Sequence, residues 1–318
     1  MSAAVSIILP TCNRLEYLRP AVDSIAAQTF ADWELIIADD GSNAETKAYL
    51  EGLHDPPRIR VIWLAHSGRP SVVRNAALRH AQGEFIAFLD SDDLWLPRKL
   101  EVQVASLRNH PARHWSYTKF GLVNGSGSPI APTSTRSWPT PTGWILEPLL
   151  KGETVIGIQT VIVSRRLLEQ LGAFDEDLVM CEDDELCFRL AEHSEADGVD
   201  EPLTLIRRHG QHGGSDILAW QDRRRVFEKA LRSSRGGHLI EPILRRLRAE
   251  MSVGLAKSQA VSGMRADVLS TLASSAHYSW PYLQWWSGAL SATARAFAPQ
   301  YALTLLRRYR RRHRVPNP

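Results

Sequence analysis

Cysteines and long apolar runs are scarce in this 318-residue chain. Its three cysteines, Cys12, Cys181 and Cys187, form neither a disulfide framework nor a zinc-ligand spacing, which favours a reducing compartment. No run of about 18 uncharged apolar residues occurs, so we expect no membrane-spanning helix. We also expect no secretory signal, because residues 1–4 lead straight into the apolar segment Val5–Leu9. These features predict a cytoplasmic protein.

The net charge of only +3 conceals a strongly basic C-terminus. Such a tail suits an anionic surface, and the absence of a recognised nucleic-acid module favours lipid over nucleic acid. Aromatic residues that prefer membrane interfaces precede the tail, which predicts peripheral contact with the inner face of the cell membrane. The alternative is that these aromatic residues pack the helices onto the catalytic domain and leave a solvated tail. The arginines are Arg307, Arg308, Arg310, Arg311, Arg312 and Arg314, and the aromatic residues are Tyr278, Trp280, Tyr282, Trp285 and Trp286.

The first 95 residues alternate between apolar strands and helices. Asn13-x-x-Glu16 resembles a capping box that begins a helix reaching about Gln28. Strands separated by helices of this length need right-handed crossovers, so the pattern predicts a mostly parallel sheet. The predicted strands are Val5–Leu9, Trp33–Ala38, Ile59–Leu64 and Glu84–Leu89, and the further helices are Asn43–Leu53 and one that follows Gly68 and Pro70.

Beyond residue 95 the pattern is less regular. A segment rich in Gly, Ser, Pro and Thr at 124–142 indicates a loop. The segments after about Trp220 are helical to the end of the chain. The fold class is therefore α/β with a helical C-terminal extension. Between these segments we expect helices at Pro97–Asn109, Gly143–Lys151, Arg165–Leu171 and Glu182–His193, and extended segments at His114–Val123, Ile158–Val163 and Val199–Arg207.

Four polar residues, Asp90-Ser91-Asp92-Asp93, follow the predicted strand Glu84–Leu89. In an open α/β sheet, ligands bind at the carboxyl ends of the strands. Carboxylates clustered there are suited to a hard divalent cation, and such a cation suits a phosphate-bearing substrate. The tetrapeptide therefore predicts a protein that handles a nucleotide or another diphosphate.

Six short motifs follow one another in order along the chain. They are Ser6–Asn13 (SIILPTCN), Asp39–Ser42 (DDGS), Arg74–Asn75 (RN), Asp90–Pro97 (DSDDLWLP), Gly172–Asp175 (GAFD) and Glu182–Leu186 (EDDEL). Over residues 5–215 this set resembles the family 2 glycosyltransferases. The resemblance implies the GT-A fold, a Rossmann-like and mostly parallel sheet flanked by helices. It also implies an inverting, metal-dependent enzyme of the hexosyltransferase type, which moves a sugar from a nucleoside diphosphate to an acceptor hydroxyl.

The resemblance assigns a divalent cation, Mn²⁺ or Mg²⁺, to Asp92 and Asp90. Asp92 is the expected direct ligand, whereas Asp90 is expected at the ribose or at a metal-bound water, with Ser91 beside them. The protein would supply few ligands, and the diphosphate and water would supply the rest. The alternative is that Asp92 and Asp93 cap the helix that Pro97 begins. Asp93 is expected to be structural.

The resemblance also assigns a nucleotide pocket. Asp39 matches a carboxylate that accepts a hydrogen bond from a ring N–H of the base, which suits uracil or thymine, with guanine as an alternative. Pro10, Thr11 and Asn13 would line the same pocket. The alternative for the segment Asp39–Ser42 is a simple turn.

Three basic residues are candidates for contact with the diphosphate. Arg69 precedes the third predicted helix and Arg74 lies within it, and one of them is expected to reach the diphosphate. The alternative is a surface or structural arginine in each case. His209 lies in a basic, glycine-rich segment that would fold over the diphosphate as a lid. The alternative is an exposed histidine without a role.

Asp183 matches the base that takes the proton of the acceptor hydroxyl. Its acidic neighbours Glu182, Asp184 and Glu185 would raise its pKa through like charge. Asp184 remains the alternative base. A further alternative is that these residues form an acidic first helical turn, which the helix dipole favours.

The predicted organisation is a catalytic domain at 1–218 and a helical extension with a basic aromatic tail at 219–318. The nucleotide-sugar half covers about 1–110 and the acceptor half about 111–218. The predicted function is transfer from a nucleotide sugar, most favourably a UDP-sugar, to a saccharide or lipid-linked acceptor in cell-surface polysaccharide or lipopolysaccharide synthesis. No nucleic-acid partner is expected.

Two other functions are alternatives to this one. The first is a non-catalytic sugar-nucleotide-binding or assembly protein on the same fold, which would have little reason to keep both Asp92 and Asp183. The second is a nucleotidyltransferase, which should carry a glycine-rich, basic loop after the first strand. The segment Pro10–Arg14 is not such a loop.

Overall fold

The computed structural model describes residues 3–53, 58–130, 138–209, 216–233 and 237–298. The arginine-rich tail and the segment 210–215, which carry predictions above, lie outside the described residues. The chain divides into two compact units, Met1–His212 and Gly213–Pro318, and each is described by itself. The predicted boundaries at 110/111 and 218/219 stay predictions.

The first unit contains one mixed sheet of eight strands in the order β3-β2-β1-β4-β7-β6-β8-β5. Strand β1 is parallel to β2 and β4, β2 is parallel to β3, and β6 is parallel to β8. Strand β7 is antiparallel to β4 and β6, and β5 is antiparallel to β8. The strands are β1 Val5–Thr11, β2 Trp33–Asp40, β3 Ile59–Leu64, β4 Phe85–Phe88, β5 Leu94–Trp95, β6 Trp115–Asn124, β7 Ile162–Ser164 and β8 Ala196–Arg208.

Helices cover both faces of this sheet. They are α1 Leu15–Ala26, α2 Ala44–Glu51, α3 Pro70–Leu78, α4 Lys99–Asn109, α5 Leu146–Leu150, α6 Arg165–Leu171 and α7 Glu182–His193. Alternate residues of β1 face opposite sides, so Ile7 packs in one core with α1 and α4 while Ile8 packs in another with α3, α6 and α7. Because the central strands are buried on both faces, their sequences are continuous apolar runs. This explains why β1, β2 and β4 were recognisable, whereas β3 is a half-exposed edge strand.

The predicted capping box at the start of α1 is wrong. Asn13 and Arg14 both have left-handed backbone angles, with φ of 60° and 57°, and the helix begins at Leu15 without a side-chain cap. The Asn13 carboxamide oxygen instead accepts a hydrogen bond from the backbone N–H of Asn43 at 2.8 Å, and the backbone N–H of Asn13 donates to Ser42 Oγ at 2.7 Å. Asparagine tolerates this backbone region, so a tertiary contact displaces the local cap.

Three smaller differences concern the middle of the chain. Helix α4 begins at Lys99 rather than at Pro97. The predicted strand Ile158–Val163 is a 3₁₀ turn, Ile158–Thr160, followed by the short strand β7. The two-residue strand β5 was not predicted, because two residues are too few to show a period.

The second unit consists, over its described part, of the helices α8 Asp216–Ser233, α9 Gly237–Val261, α10 Arg265–Ser279 and α11 Leu283–Phe297. Helices α9 and α11 approach closely at Gly288, where an added Cβ would lie 2.3 Å from Val253 Cγ1. None of the helices in the described ranges is both long enough and apolar enough to span a membrane.

The predicted aromatic cluster divides into two groups in this unit. Trp285 is buried in the helical core, and Tyr278 packs under the guanidinium of Arg248 at 3.6 Å. Trp280 and Trp286 are exposed instead. Tyr282 also packs against that core, so three of the five aromatic residues pack within this unit and two face solvent. Their packing onto the catalytic domain stays a prediction.

Candidate active site

The carboxyl ends of β1, β2 and β4 bring the predicted nucleotide and metal residues to one edge of the sheet. Parallel pairing aligns Pro10 with Ala38 and Thr11 with Asp39. On the other side of β1, the backbone N–H of Leu89 donates to the Ile8 carbonyl at 3.0 Å. Asp90 therefore leaves the sheet beside the end of β1, as its strand context predicts.

Asp39 presents one unpartnered oxygen at this edge. Its Oδ2 accepts a hydrogen bond from the Ser42 N–H at 3.1 Å, and its side chain is fully buried. Within the described residues, Asp39 Oδ1 and the neighbouring Thr11 Oγ1 are buried without a hydrogen-bond partner. Leaving buried polar atoms unpaired costs about 1–3 kcal/mol each. A ligand that donates to Asp39 and bonds to Thr11 would remove that cost.

Asp40 has a structural role. Its carboxylate accepts from the N–H and hydroxyl of Ser67 and from the N–H of Gly68, at 2.7–2.9 Å. The ligand atoms of Cys12, Asp40 and His66 lie within 4.8 Å of one another. Burial, followed by the charges of Asp40 and Asp39, raises the pKa of the Cys12 thiol, so a thiolate is disfavoured there. We therefore assign Asp40 and His66 to holding the loop after β3.

The Asp-x-Asp pair keeps one available oxygen on each carboxylate. Asp90 Oδ1 accepts from Arg74 at 2.6 Å, and Asp92 Oδ2 accepts from Arg14 and His209, both at 2.9 Å. Among the described residues, Asp90 Oδ2 and Asp92 Oδ1 have no partner. Carboxylate oxygens are the donors that Mg²⁺ and Mn²⁺ prefer, so the donor set fits such an ion.

Negative charge is in excess around this pair. Burial raises the pKa of Asp90, and the carboxylates of Asp92 and Asp183 add to the shift, although Arg74 opposes it. Burial, followed by the charges of Asp90 and Asp92, raises the pKa of Asp93 to about 8. A divalent cation between the carboxylates would offset this repulsion. Ser91 lies half-buried in the turn between the two aspartates.

Asp93 is buried and joins two elements. Its Oδ1 accepts from the backbone N–H of Arg207 and its Oδ2 from Gln159 Nε2, both at 2.7 Å. Gln159 in turn accepts from the Trp95 indole N–H at 2.9 Å through its carbonyl. Asp93 thus links β8 to the 3₁₀ turn, in agreement with its expected structural role.

Two residues that the sequence reasoning missed hold Asp92 in place. Arg14 donates to its carboxylate, and Arg207 Nε donates to its backbone carbonyl at 2.8 Å. His209 stacks on Tyr17 with ring centroids 5.1 Å apart while its Nε2 lies 2.9 Å from Asp92 Oδ2. His209 therefore contacts the Asp-x-Asp pair, and its role as a lid over the diphosphate stays a prediction. Arg14 directly follows the first motif, which was the one available signal for it.

Arg74 connects the Asp-x-Asp turn to the start of α7. Its guanidinium lies 2.6 Å from Asp90 Oδ1 and 2.6 Å from Glu182 Oε1, and its side chain is almost fully buried. Burial alone would lower the pKa of Arg74, but the two carboxylates outweigh it and the pKa is raised. Arg74 is thus a fixed cation between two acids. Its predicted contact with a diphosphate stays a prediction.

The start of α3 also holds the loop that precedes α7. Asn75 Nδ2 donates to the Phe174 carbonyl at 2.8 Å and to Glu176 Oε1 at 2.9 Å, and the Phe174 N–H donates back to Asn75 Oδ1 at 3.0 Å. Arg69 donates through Nη2 to the Glu176 carbonyl. Arg69 therefore positions this loop, and its contact with a diphosphate is untested.

Asp183 lies in the first turn of α7, next to Glu182. Its charge raises the pKa values of both Asp90 and Arg74, so it lies close to the Asp-x-Asp pair. Asp184 is not among the groups that shift the pKa of Asp90. Asp183 Oδ1 accepts from the Asp184 N–H at 2.9 Å, and in the described part of the chain its Oδ2 has no partner. Asp183 is therefore the aspartate of this turn whose charge acts on the Asp-x-Asp pair, and its role as the base stays a prediction.

Comparison with known proteins identifies the family. The model of "Glycosyl transferase family 2" matches residues 6–157. The chain is 30% identical over 224 residues to the putative colanic acid biosynthesis glycosyl transferase WcaA of Escherichia coli K12, and the match covers 68% of this chain and 75% of that one. The chain belongs to glycosyl transferase family 2.

A second relative of this family 2 member has a more specific name. It is the UDP-Glc:alpha-D-GlcNAc-diphosphoundecaprenol beta-1,3-glucosyltransferase WfgD of Escherichia coli, 34% identical over 168 residues. That match covers 52% of this chain and 61% of the relative, so the chain spans less than two thirds of the relative's length.

A solved structure shares the fold. The mannosyltransferase PcManGT from Pyrobaculum calidifontis, in complex with GDP-Man and Mn²⁺, gives a TM-score of 0.59 at 20% identity. The match covers 94% of this chain and 88% of that one. The predicted fold class, an α/β GT-A sheet flanked by helices with a helical C-terminal extension, is confirmed.

Proposed function

We propose that this family 2 member is an inverting, metal-dependent glycosyltransferase of the hexosyltransferase type, which moves a sugar from a UDP-sugar to an acceptor hydroxyl. The observation that carries the proposal is the position of Arg74, 2.6 Å from Asp90 and 2.6 Å from Glu182. This cation fixes the Asp-x-Asp turn next to the helix start that carries Asp183. The two halves of a transfer site, one for the donor and one for the acceptor, thereby meet.

Asp92 and Asp90 are the residues that would hold Mn²⁺ or Mg²⁺, each with its unpartnered oxygen. When bound, the ion supplies positive charge that stabilises the departing diphosphate. The Mn²⁺ in the mannosyltransferase complex supports a divalent ion on this fold.

The nucleotide pocket favours uracil over guanine. A guanine offers two adjacent donors, its N1–H and its amino group, which match both oxygens of one carboxylate. Asp39 Oδ1 has no partner, whereas Oδ2 already accepts from the Ser42 N–H and keeps one lone pair, so a single donor to Oδ1 is the simpler match. The single N3–H of uracil fits one oxygen, and Thr11 Oγ1 is available beside it. The donor named for WfgD, UDP-Glc, agrees with this choice, whereas PcManGT holds GDP-Man.

In the reaction we propose, Asp183 acts as general base. The acceptor oxygen attacks the anomeric carbon from the face opposite the diphosphate, and its proton moves to the carboxylate of Asp183. The bond between the anomeric carbon and the diphosphate oxygen breaks, and its electron pair stays on the diphosphate. One displacement inverts the anomeric configuration. Arg74 contributes by positioning Asp90 and Glu182.

The proposed setting is synthesis of cell-surface polysaccharide or lipopolysaccharide, with a saccharide or a lipid-linked acceptor. The names of both relatives support it, since one is named for colanic acid biosynthesis and the other for a diphosphoundecaprenol acceptor. A lipid-linked acceptor would require peripheral contact with the cytoplasmic face of the membrane.

Calorimetric titration with UDP, GDP and dTDP, each with Mn²⁺ and with a chelator, tests the donor site. We expect Mn²⁺-dependent binding of UDP by the unaltered protein and loss of that dependence in Asp92→Ala. Asp32→Ala is the matched control, since Asp32 is an exposed aspartate that precedes β2 at the opposite edge of the sheet. Equal UDP affinity with and without Mn²⁺ would overturn the metal assignment. No binding of any nucleotide would favour a non-catalytic assembly protein over an enzyme that uses a nucleotide sugar.

Asp183→Asn tests the base. The variant should bind UDP normally and transfer sugar about 10²–10⁴-fold more slowly to an acceptor found by screening with the unaltered protein. A normal transfer rate would move the base to another residue, and Asp184→Asn is the variant to compare.

A further inference from the structure

Helix α11 has a second apolar face that packs against none of the described helices. One face carries Trp285, Ala289, Ala292 and Ala296, which are buried in the core of the second unit. At about 3.6 residues per turn, four exposed apolar side chains fall within about 60° of one another on a separate face, centred about 120° around the helix from the buried one. These four, called the α11 stripe below, are Leu283 (85% exposed), Trp286 (46%), Leu290 (70%) and Phe297 (46%).

An exposed tryptophan extends the stripe at its N-terminal end. Trp280 is 66% exposed, and its backbone carbonyl accepts from the indole N–H of Trp286 at 2.9 Å. Contiguous apolar surface of this kind marks a binding site on a protein or a membrane. Tryptophan has an apolar ring and a polar N–H, which suits the boundary between water and hydrocarbon.

The sequence around the stripe is entirely free of acidic residues. Asp267 is the last carboxylate, and the 51 residues that follow it contain seven arginines. Within α11 the one charged residue is Arg295, in the last turn. A protein partner or a second copy could cover an apolar stripe without any need for this one-sided charge. An anionic bilayer provides both complements, hydrocarbon for the stripe and phosphates for the arginines.

We propose that the α11 stripe, together with Trp280, inserts at the headgroup level of an anionic lipid bilayer, with Arg295 at the lipid phosphates and the positive charge of the C-terminal sequence favouring anionic lipid. The choice of the cytoplasmic membrane face rests on the proposed function, whereas the lipid-binding surface itself does not depend on sugar transfer. The stripe replaces the looser aromatic cluster of the sequence prediction, because Tyr278 and Trp285 pack inside the unit.

Flotation of the full chain with vesicles tests the surface. The vesicles are phosphatidylcholine alone and phosphatidylcholine mixed with phosphatidylglycerol. The test variant is Leu283→Ser/Leu290→Ser, which changes two exposed residues of the stripe. The matched control is Val261→Ser/Leu269→Ser, which changes two apolar residues that are 64% and 50% exposed and lie on α9 and α10.

We expect the unaltered protein to bind the anionic vesicles, more weakly as salt is raised, and to bind neutral vesicles poorly. Each stripe leucine should contribute about tenfold to the partition constant, so the test variant should bind about a hundredfold more weakly. The control variant should bind like the unaltered protein. Brominated lipid should quench tryptophan fluorescence in the unaltered protein and less in Trp286→Phe.

Three results would overturn the proposal. The first is no binding of the unaltered protein to anionic vesicles, and the second is equal binding by the test variant. The third is a dimer in solution that the test variant dissociates while no vesicle binding is seen, which would make a second copy the occupant. UDP titration of the same samples separates this question from the proposed function, because the stripe variants should keep UDP affinity.

Discussion

Replacing Arg74 by Met would leave two carboxylates without the cation they share. Glu182 is only 8% exposed at its side chain, and Asp90 is 28% exposed. Removing one partner of a buried ion pair typically costs about 3–5 kcal/mol of unfolding free energy, because a charge is left unpaired. The Glu182 pair should contribute most of that cost, since solvent screens Asp90 more. A loss of about 4 kcal/mol corresponds to a fall in Tm of about 8–16 °C for a domain of this size.

The pH dependence of this variant has a defined sign. Burial already raises the pKa of Glu182 in the unaltered protein, although Arg74 opposes the shift. Without Arg74 the pKa should rise further. The folded state then binds more protons than the unfolded state above about pH 4, so the free energy of unfolding increases as the pH falls. The deficit of Arg74→Met should therefore shrink between pH 7 and pH 5.

Urea unfolding followed by circular dichroism would measure these effects. A double-mutant cycle with Glu182→Gln should give a coupling energy of about 1–3 kcal/mol, because the second substitution removes the orphaned charge. Arg79→Met, at the exposed C-terminal end of α3, is the matched control and should change stability by less than about 0.5 kcal/mol. Unfolding of Arg74→Met within that same margin would refute the reasoning.

Three further predictions concern other residues. Burial lowers the pKa of Lys99 well below its usual range, so Lys99→Met should stabilise the fold at pH 7. The gain in unfolding free energy should shrink toward pH 10, because the lysine of the unfolded chain also loses its proton there. Urea midpoints at several pH values would measure it. Gly83→Ala should cost about 1–3 kcal/mol by the same assay, because a Cβ there would lie 2.6 Å from the backbone nitrogen of Ser6. Asp39→Asn should weaken UDP binding about 5- to 150-fold by calorimetry, since an amide N–H would face the N–H of the base.

Each of these three has a result that would contradict it. Lys47→Met, on exposed α2, is the control for Lys99, and equal stability of the two variants would show that burial of Lys99 is not costly. A stable Gly83→Ala protein would mean that β1 can move away from the turn before β4. Unaltered UDP affinity in Asp39→Asn would show that the uracil ring does not donate to Asp39.

Local sequence was sufficient for the elements whose burial is uniform. The strands Val5–Leu9 and Glu84–Leu89 were recognisable because nearly every residue in each is buried and apolar. The 3₁₀ turn was hidden inside an apolar run, since the side chain that interrupts it, Gln159, is buried against Asp93. The predicted cap at Asn13 was wrong for a similar reason, because the side chain of Asn13 instead bonds to Asn43, which is distant in the sequence.

The positions of the site residues in the sheet could be predicted from the sequence, but their hydrogen-bond partners could not. Strand context was enough to bring Asp39, Asp90 and Asp92 to one edge. The contacts of Asp92 with Arg14 and His209 join residues 78 and 117 positions apart, and no local pattern reports such pairs. Motif order predicts Asp183 as the base, and of the two aspartates it is Asp183 whose charge acts on Asp90. The assignment of the base stays a prediction.

The order of strands in the sheet has a consequence for synthesis of the chain. Strands β1 to β4 pair with one another, but β4 has to wait for its second neighbour β7, which ends 76 residues later. At a translation rate of about 5–20 residues per second, that interval lasts about 4–15 s. During this interval β1 to β4 can pair, but the outer edge of β4, Phe85–Phe88, has no neighbouring strand. An unpaired edge is a template for pairing with another chain. The arrival of β7 is thus the step that protects the growing polypeptide from its neighbours on a polysome.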